Sequence, residues 1–185
     1  MLTYFNNLTN YFDNNSIILK LTYSLYSRFR GNIHYYLPYG EFSATKITDN
    51  LYIGDIHSAY QDVHLKKEGI THIVNCVMGS TPGYPDDYKY LIVNVIDNEN
   101  QNLIDKFETA VNFIDKAIQE NGKVLIHCVC GVSRSVSITA AYLIYKNKIS
   151  AEKAIEIIKE KRDVACPNPS FMEQLKIFYK NHGTI

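Results

Sequence analysis

The sequence predicts an α/β fold, with a mostly parallel central sheet and helices on its faces. From Ala44 onward, short β-branched segments alternate with longer segments of helical period. The segment Val124–Ile126 is short and wholly apolar, which is typical of a central strand in a parallel sheet. The chain has 185 residues, 46% of them hydrophobic. That size suits one domain with a short extension.

The strands are predicted from β-branched and apolar runs that end at turn residues. In chain order the predicted strands are Leu51–Ile53, Ile70–Val77, Tyr90–Ile96 and Val124–Ile126. The first stops at Gly54, and a turn-rich loop over Gly79–Asp87 separates the second from the third.

The helices are predicted from their period and from their end signals. In chain order they are Ser58–Glu68, Leu103–Glu120, Ser135–Lys146, Ser150–Lys161 and Pro169–Asn181. Gly69 is a typical stop for the first helix. The second carries one apolar stripe, namely Phe107, Ala110, Val111, Ile114 and Ile118. Ser150 is predicted as an N-cap, and Pro169 as the first residue of its helix.

Residues 1–43 differ from the rest of the chain in composition. They are rich in Asn and Tyr, follow no clean period and end at the break Pro38–Gly40. We predict that they form an N-terminal extension, partly helical over Ser16–Phe29, and that residues 44–185 form the main domain. Three roles of the extension stay open: packing on the domain, binding of a partner, and pairing of two chains. We therefore expect a monomer or an N-terminally mediated homodimer.

Bulk charge and hydropathy exclude several classes of partner. Nineteen Lys and Arg residues balance nineteen Asp and Glu residues, so nucleic acid is not an expected partner. The apolar stretch Ile17–Tyr26 is interrupted and shorter than the roughly 20 residues that a bilayer span needs. The N-terminus lacks the basic region of a signal peptide. We therefore expect no membrane association and an intracellular, cytoplasmic location, with the nucleus left open.

No metal or cofactor is expected. The four cysteines, Cys76, Cys128, Cys130 and Cys166, have neither zinc-site spacing nor the pattern of a secreted disulfide scaffold. Gly54–His57 resembles the start of a metallophosphatase motif, but Ser58 replaces the glycine that would complete it. We interpret this segment as a loop and a helix cap.

The segment His127–Ser135 follows an apolar strand and precedes a helix, where backbone N–H groups and the helix dipole form an anion site. Gly131 allows the torsions that a tight cradle needs, and Arg134 supplies a two-pronged donor matched to phosphate oxygens. Because these dipoles stabilise a thiolate, Cys128 should ionise below the free-thiol pKa of about 8.5. A thiolate facing a bound phosphate is a nucleophile for in-line attack on phosphorus.

Such a nucleophile needs an acid for the leaving group, and Asp97 is the predicted acid. It follows a strand whose carboxyl end should open on the same sheet edge as Cys128. Glu99 is the neighbouring alternative. Asp105 begins a helix, and Asp86 and Asp87 precede their strand, at its wrong end.

Residues 44 to about 180 resemble the dual-specificity phosphatases of the cysteine-dependent protein tyrosine phosphatase superfamily. The signature H-C-x-x-G-x-x-R-[ST] is met at every fixed position from His127 to Ser135. Four flanking segments are also similar to family segments: Ile47–Gly54, Gly69–Asn75, Asp97–Phe107 and Pro167–Leu175.

The resemblance implies a fold with a phosphatase P-loop between a central strand and a helix, and it implies roles for matching residues. Cys128 would be the nucleophile, Arg134 the phosphate ligand, and Asp97 the acid and then the base. Ser135 would bond the thiolate and assist breakdown of a phosphocysteine. His127 would order the loop and help to lower the Cys128 pKa, and Asn168 would brace the site. The backbone amides that would bind the phosphoryl oxygens are those of Val129, Cys130, Gly131, Val132, Ser133 and Arg134.

We therefore expect a phosphoprotein phosphatase that cleaves phosphotyrosine and phosphoserine/threonine monoesters. Two alternatives stay open: a phosphatase of lipid, glucan or RNA phosphates, and a phosphate-binding scaffold without activity. The loop residues 129–133 include no Lys or Arg, which argues against polyanionic substrates. Cys76 is a candidate redox partner for Cys128, although the default interpretation of Cys76, Cys130 and Cys166 is small apolar filler.

Overall fold

The computed structural model describes residues 42–182, and within them one five-stranded sheet carries helices on its faces. The strands are β1 (Thr45–Thr48), β2 (Leu51–Gly54), β3 (His72–Asn75), β4 (Lys89–Ile92) and β5 (Val124–His127). Their order across the sheet is β1-β2-β5-β3-β4. Only the β1–β2 pair is antiparallel, and β5 pairs in parallel with both β2 and β3. The predicted mostly parallel α/β sheet, with Val124–Ile126 in its central strand, is confirmed.

Six helices belong to the described part of the chain. They are α1 (Ile56–Ala59), α2 (Asp62–Glu68), α3 (Ile104–Gln119), α4 (Arg134–Asn147), α5 (Ala151–Lys159) and α6 (Pro169–His182). None of these helices is both long enough and apolar enough to cross a bilayer.

Two apolar clusters lie on opposite faces of the sheet, because successive strand residues point to alternate sides. Ile53, Val74 and Ile126 belong to the larger cluster, which the apolar faces of α3 to α6 complete. Ile73 and Leu125 belong to the smaller cluster. The central strands are buried on both faces, which explains why Val124–Ile126 is apolar throughout.

The predicted helix ends are confirmed where a side chain or a glycine makes the cap. Gly69 adopts φ +73° after α2, in the left-handed region that glycine tolerates. The Ser150 hydroxyl accepts a hydrogen bond from the Lys153 N–H at 3.2 Å and caps α5. Pro169 is the first residue of α6.

Several predicted boundaries are wrong for local reasons. The predicted helix Ser58–Glu68 is two helices, since Asp55 caps α1 earlier and Gln61 has a non-helical ψ of 74° before α2. The predicted strand Tyr90–Ile96 ends at Ile92, and the predicted strand Ile70–Val77 ends at Asn75. The last bond between β3 and β5 there runs from the Cys76 N–H to the His127 carbonyl, and the Asn75 side chain then accepts a hydrogen bond from the Val77 N–H at 2.9 Å in a local turn.

The strand β1 was not predicted as a separate element. Of its four residues, one is buried, namely Ile47. The hydrophobic pattern in the sequence is therefore weak, and the strand is recognised by its pairing with β2. The predicted helix Ser16–Phe29 and residues 1–41 of the predicted extension lie outside the described residues. The last residue of the predicted extension, Ser43, donates its N–H to the Ser58 hydroxyl at 3.0 Å.

Substitution of Phe107 by alanine should destabilise the domain. Phe107 is fully buried, and its ring packs edge-on against Phe178 at a centroid distance of 5.3 Å. We expect the variant to lose about 3–5 kcal/mol of unfolding free energy in urea denaturation, since a large cavity would open between α3 and α6. The control Val63→Ala, at a position that is 77% exposed, should change it by less than about 0.5 kcal/mol. Equal losses in the two variants would contradict this account of the core.

Candidate active site

The loop over residues 128–133, here called the Cys128 loop, joins the central strand β5 to helix α4. It lies at the carboxyl edge of the sheet, between the ends of β2 and β3. The Cys128 N–H contacts the Gly54 carbonyl at 3.4 Å, and the Cys76 N–H donates to the His127 carbonyl at 2.8 Å. Ligand sites of open parallel sheets lie at this edge, so the fold places the predicted anion site where such sites form.

The thiol of Cys128 lies at the base of this loop and is only 1% exposed. The Gly131 N–H donates to Cys128 Sγ at 3.2 Å, and the Ser135 hydroxyl oxygen lies 3.3 Å from the same sulfur. Burial opposes ionisation, but the Arg134 charge, the Ser135 hydroxyl and the N–H groups of Ser135 and Val132 outweigh it. Together they hold the pKa of Cys128 below its ordinary value.

Gly131 has a conformation and a packing position that only glycine fits. Its φ is +68°, and a Cβ there would lie 2.8 Å from the Gly54 carbonyl oxygen and 2.6 Å from the Arg162 guanidinium. The left-handed residue turns the chain so that the Gly131 N–H faces the sulfur. The predicted need for glycine at this position is confirmed by the geometry.

Arg134 is the first residue of α4, and its side chain is 2% exposed. One terminal nitrogen, Nη1, donates to the Cys76 carbonyl at 3.1 Å and to the Val95 carbonyl at 3.4 Å. Its Nε lies 3.5 Å from Asp97 Oδ2. These contacts fix the guanidinium beside the Cys128 loop, between the carboxyl end of β3 and the segment after β4.

Asp97 lies beside the Cys128 loop, as its predicted position in the sheet requires. Its Oδ1 accepts hydrogen bonds from the Ser133 hydroxyl at 2.9 Å and from the Asn168 amide at 3.0 Å. The carboxylate keeps 26% of its side-chain surface exposed, so it is held at the rim and remains open to a ligand.

The alternative carboxylates have no such placement. Glu99 is exposed, and Asp105 bonds the Asn102 side chain at 2.7 Å at the start of α3. Asp87 lies 3.6 Å from Lys66, outside the Cys128 loop. Geometry therefore favours Asp97 as the acid among the residues that the sequence offered.

Two glutamines hold the segment from Asp97 to α3, a role that sequence analysis did not assign. The Gln101 side chain accepts a hydrogen bond from the Ile96 N–H at 3.1 Å. From α6, Gln174 accepts from the Leu103 and Ile104 N–H groups at 2.6 and 2.8 Å, and it donates to the Gln101 carbonyl at 2.9 Å. The only signal in the sequence was that Gln174 belongs to a segment with family resemblance.

Asn168 makes three bonds that match the bracing position expected of it. Its amide nitrogen reaches Asp97, its side-chain oxygen accepts from the Phe171 N–H at 2.9 Å, and its backbone N–H donates to the Ser133 hydroxyl at 3.2 Å. One residue thus joins the start of α6, the Cys128 loop and Asp97.

His127 ends β5 and is 1% exposed. Burial lowers its pKa to about 4, so the imidazole is neutral at pH 7. Among the residues that the structure describes, its Nδ1 has no hydrogen-bond partner. An imidazolium charge is therefore not the means by which His127 would lower the Cys128 pKa, and the ordering of the loop remains its predicted role.

The four cysteines have different environments. Cys76 is fully buried and follows β3 beside Cys128, since Asn75 pairs with His127 in the parallel register. Burial raises the pKa of the Cys76 thiol. Cys130 and Cys166 are exposed, so the interpretation as apolar filler is wrong for these two. Both lie in surface loops, one on the Cys128 loop and one before α6.

Arg162 is a further residue of this region that sequence analysis missed. It is 8% exposed, and its Nε donates to the Gly131 carbonyl at 2.8 Å. The available signal was the rarity of arginine, of which the whole chain has four.

The helix cap predicted within Gly54–His57 is confirmed, but the predicted loop is wrong, since Gly54 ends β2 and Asp55 alone separates it from α1. Asp55 caps α1 by accepting hydrogen bonds from the Ser58 N–H and hydroxyl, both at 2.8 Å. Within residues 42–182, no three His, Cys, Asp or Glu side chains come together in a way that could hold a metal ion.

Comparison with known proteins agrees with this geometry. The family profile for the dual specificity phosphatase catalytic domain matches residues 51–181. The chain is 39% identical over 137 residues to dual specificity protein phosphatase 1B of Arabidopsis thaliana, which covers 74% of this chain and 82% of that protein. It is 40% identical over 135 residues to dual specificity protein phosphatase 1 of the same plant, covering 73% and 68% of the two chains.

Solved structures show the same fold. The crystal structure of human tyrosine phosphatase-like serine/threonine/tyrosine-interacting protein superposes with a TM-score of 0.74 at 29% identity. The match covers 76% of this chain and 98% of that chain. The family match, the curated relatives and the shared fold lead to one conclusion: this chain belongs to the dual-specificity phosphatase family of the cysteine-dependent protein tyrosine phosphatase superfamily, and it is a dual-specificity protein phosphatase.

Proposed function

We propose that the enzyme hydrolyses phosphotyrosine and phosphoserine/threonine monoesters in proteins through a phosphocysteine on Cys128, with Asp97 as general acid and then base. The observation that carries this proposal is the convergence on one sulfur of a backbone N–H donor at 3.2 Å and a hydroxyl at 3.3 Å. The Arg134 charge acts on the same sulfur, and Asp97 Oδ2 lies 3.5 Å from Arg134 Nε.

In the first step the substrate phosphoryl group occupies the Cys128 loop. Backbone N–H groups and the Arg134 guanidinium bind its oxygens and neutralise their charge. The thiolate attacks phosphorus in line, so that the S–P bond forms as the ester P–O bond breaks. The leaving oxygen takes a proton from Asp97.

In the second step water attacks the phosphocysteine and releases inorganic phosphate. Asp97, now a carboxylate, accepts the proton of that water as the new P–O bond forms. The S–P bond breaks and the electron pair returns to sulfur. The Ser135 hydroxyl, 3.3 Å from that sulfur, stabilises the departing thiolate by a hydrogen bond. The enzyme returns to its starting state without a metal or a cofactor in either step.

Two other functions remain less well supported. Polyanionic lipid or RNA substrates are disfavoured because residues 129–133 of the Cys128 loop have no basic side chain. A scaffold that only binds phosphate would need neither a depressed thiol pKa nor a carboxylate held at the rim. Phosphoprotein substrates follow from the family. A cytoplasmic location, the absence of membrane and nucleic-acid partners, and a monomer or an N-terminally mediated homodimer stay predictions.

Redox control by Cys76 is a further part of the proposal. The parallel register sets Cys76 beside Cys128, and neighbouring strands are about 4.8 Å apart, within the Cα range of disulfides. The Cys128 thiolate would take one oxygen of hydrogen peroxide to become a sulfenic acid, and the other oxygen would leave as hydroxide, which takes a proton from solvent to become water. The Cys76 thiol would then attack that sulfur, forming the disulfide and releasing a second water.

The nucleophile is tested by p-nitrophenyl phosphate hydrolysis with dithiothreitol and excess EDTA. Cys128→Ser should reduce turnover to background, because a serine hydroxyl does not ionise under these conditions. Cys166→Ser is the matched control and should retain full activity, since Cys166 is exposed and its side chain has no assigned role. Turnover that survives Cys128→Ser, or that EDTA removes, would show that the chemistry lies elsewhere.

The acid is tested by comparing leaving groups. Asp97→Asn should slow kcat for alkyl phosphates and phosphotyrosine by roughly 10²–10⁴-fold. The loss should be much smaller for aryl phosphates whose leaving groups depart without a proton. The matched control is Glu99→Gln, an exposed neighbour, which should change neither rate. A loss with Asp97→Asn that is the same for every leaving group would overturn the role as acid.

The disulfide is tested by peroxide treatment and recovery. Wild type should lose activity, show a Cys76–Cys128 cross-link by peptide mass spectrometry, and regain activity with dithiothreitol. Cys76→Ser should lose activity to peroxide without full recovery, because the sulfenic acid oxidises further. Recovery in Cys76→Ser that equals wild type would contradict the protective disulfide.

A further inference from the structure

Arg162 contacts the Cys128 loop through backbone carbonyl groups. Its Nε donates to the Gly131 carbonyl at 2.8 Å, and its Nη2 contacts the Cys130 carbonyl at 3.4 Å. Arg162 itself follows α5, 31 residues from its partner Gly131. The side chain is therefore a long-range contact with the part of the loop that turns at Gly131.

The planarity of the peptide bond gives these contacts a consequence at the sulfur. In a trans peptide, the carbonyl of one residue and the N–H of the next point in opposite directions. The Cys130 carbonyl faces Arg162, and the Gly131 N–H of the same peptide donates to Cys128 Sγ at 3.2 Å. The Gly131 carbonyl also faces Arg162, so the Val132 N–H of that peptide points inward, and it contributes to lowering the pKa of Cys128.

The same guanidinium reaches the first strand of the domain. Its Nη1 donates to the Ser43 carbonyl at 2.8 Å and to the Thr45 hydroxyl at 2.9 Å. A buried cation is costly unless its donors are satisfied, and here carbonyl and hydroxyl oxygens of two segments satisfy them. Lysine could not make the same set of hydrogen bonds, because its single ammonium group lacks the planar, forked donors of a guanidinium.

We propose that Arg162 is a positioning residue for the phosphatase reaction: it holds the Cys130 and Gly131 carbonyls outward and so aims the Gly131 and Val132 N–H groups at the thiolate and the bound phosphoryl group. Its hydrogen bonds to Ser43 and Thr45 also connect the Cys128 loop to the segment that leads into β1. The inference rests on the proposed phosphocysteine chemistry, but it assigns Arg162 no contact with substrate.

The test compares Arg162→Gln and Arg162→Lys with wild type, using the full chain. The first readout is the inhibition constant of inorganic phosphate. The second is the acid limb of kcat/KM plotted against pH, and the third is the melting temperature. Arg162→Gln should weaken phosphate inhibition by roughly 10- to 100-fold, as expected for misaligned N–H donors to an anion. Its acid limb should move to higher pH, because a less stabilised thiolate has a higher pKa. Arg162→Lys should fall between wild type and Arg162→Gln.

Matched variants separate positioning from stability. Lys161→Gln removes the exposed neighbouring cation and should leave all three readouts unchanged. Thr45→Val removes one acceptor of the Arg162 network and keeps its shape. It should weaken phosphate inhibition several-fold, and it supplies a milder test if Arg162→Gln does not fold.

The outcomes distinguish three cases. The inference would be overturned if folded Arg162→Gln melted at a lower temperature but kept the phosphate inhibition and the acid limb of wild type. Arg162 would then have a structural role only. If wild type shows no Cys128-dependent turnover, the proposed function fails instead. In that case phosphate protection of Cys128 against iodoacetamide still tests the inference, since that readout needs no catalysis. Protection that is equal in wild type and Arg162→Gln would then overturn it.

Discussion

The rest of the site depends on the orientation of the peptide groups between Cys128 and Arg134. Their N–H groups must face the Cys128 sulfur, because a buried thiolate is stable only where several dipoles and a cation are directed at it. Gly131, at φ +68°, allows the turn that achieves this. The Gly54 carbonyl leaves no room for a side chain at that turn. One backbone conformation therefore supports both the ionisation of the thiol and the proposed binding of phosphate.

The sheet and α6 bring the remaining groups to this loop. The parallel strands β2, β5 and β3 end at one edge, so that Gly54 and Cys76 flank Cys128. The segment after β4 supplies Asp97, which would have no fixed position without contacts from elsewhere. Residues of α6 and its cap provide them, since Asn168 bonds the carboxylate and Gln174 holds the start of α3. Asp97 and Cys128, the proposed acid and the proposed nucleophile, are thus positioned by different elements.

The sequence alone was sufficient to predict those parts of the site whose contacts are local. The nine residues His127–Ser135 contain their own turn, thiol and cation, and the position of Asp97 could be inferred because strand ends meet at one sheet edge. Arg162 could not be inferred, because its acceptors lie 31 residues away at Gly131 and 119 residues away at Ser43. The exposure of Cys130 also could not be inferred, because it depends on tertiary contacts that no periodicity in the sequence shows.

The most direct test of this account is the pKa of the Cys128 thiol in the native protein. The rate of Cys128 alkylation by iodoacetamide would be followed across pH by peptide mass spectrometry, with and without inorganic phosphate. The account predicts a midpoint below the free-thiol value of about 8.5 and slower alkylation with phosphate bound. A midpoint at or above that value, with no protection by phosphate, would contradict a thiolate held within an anion cradle.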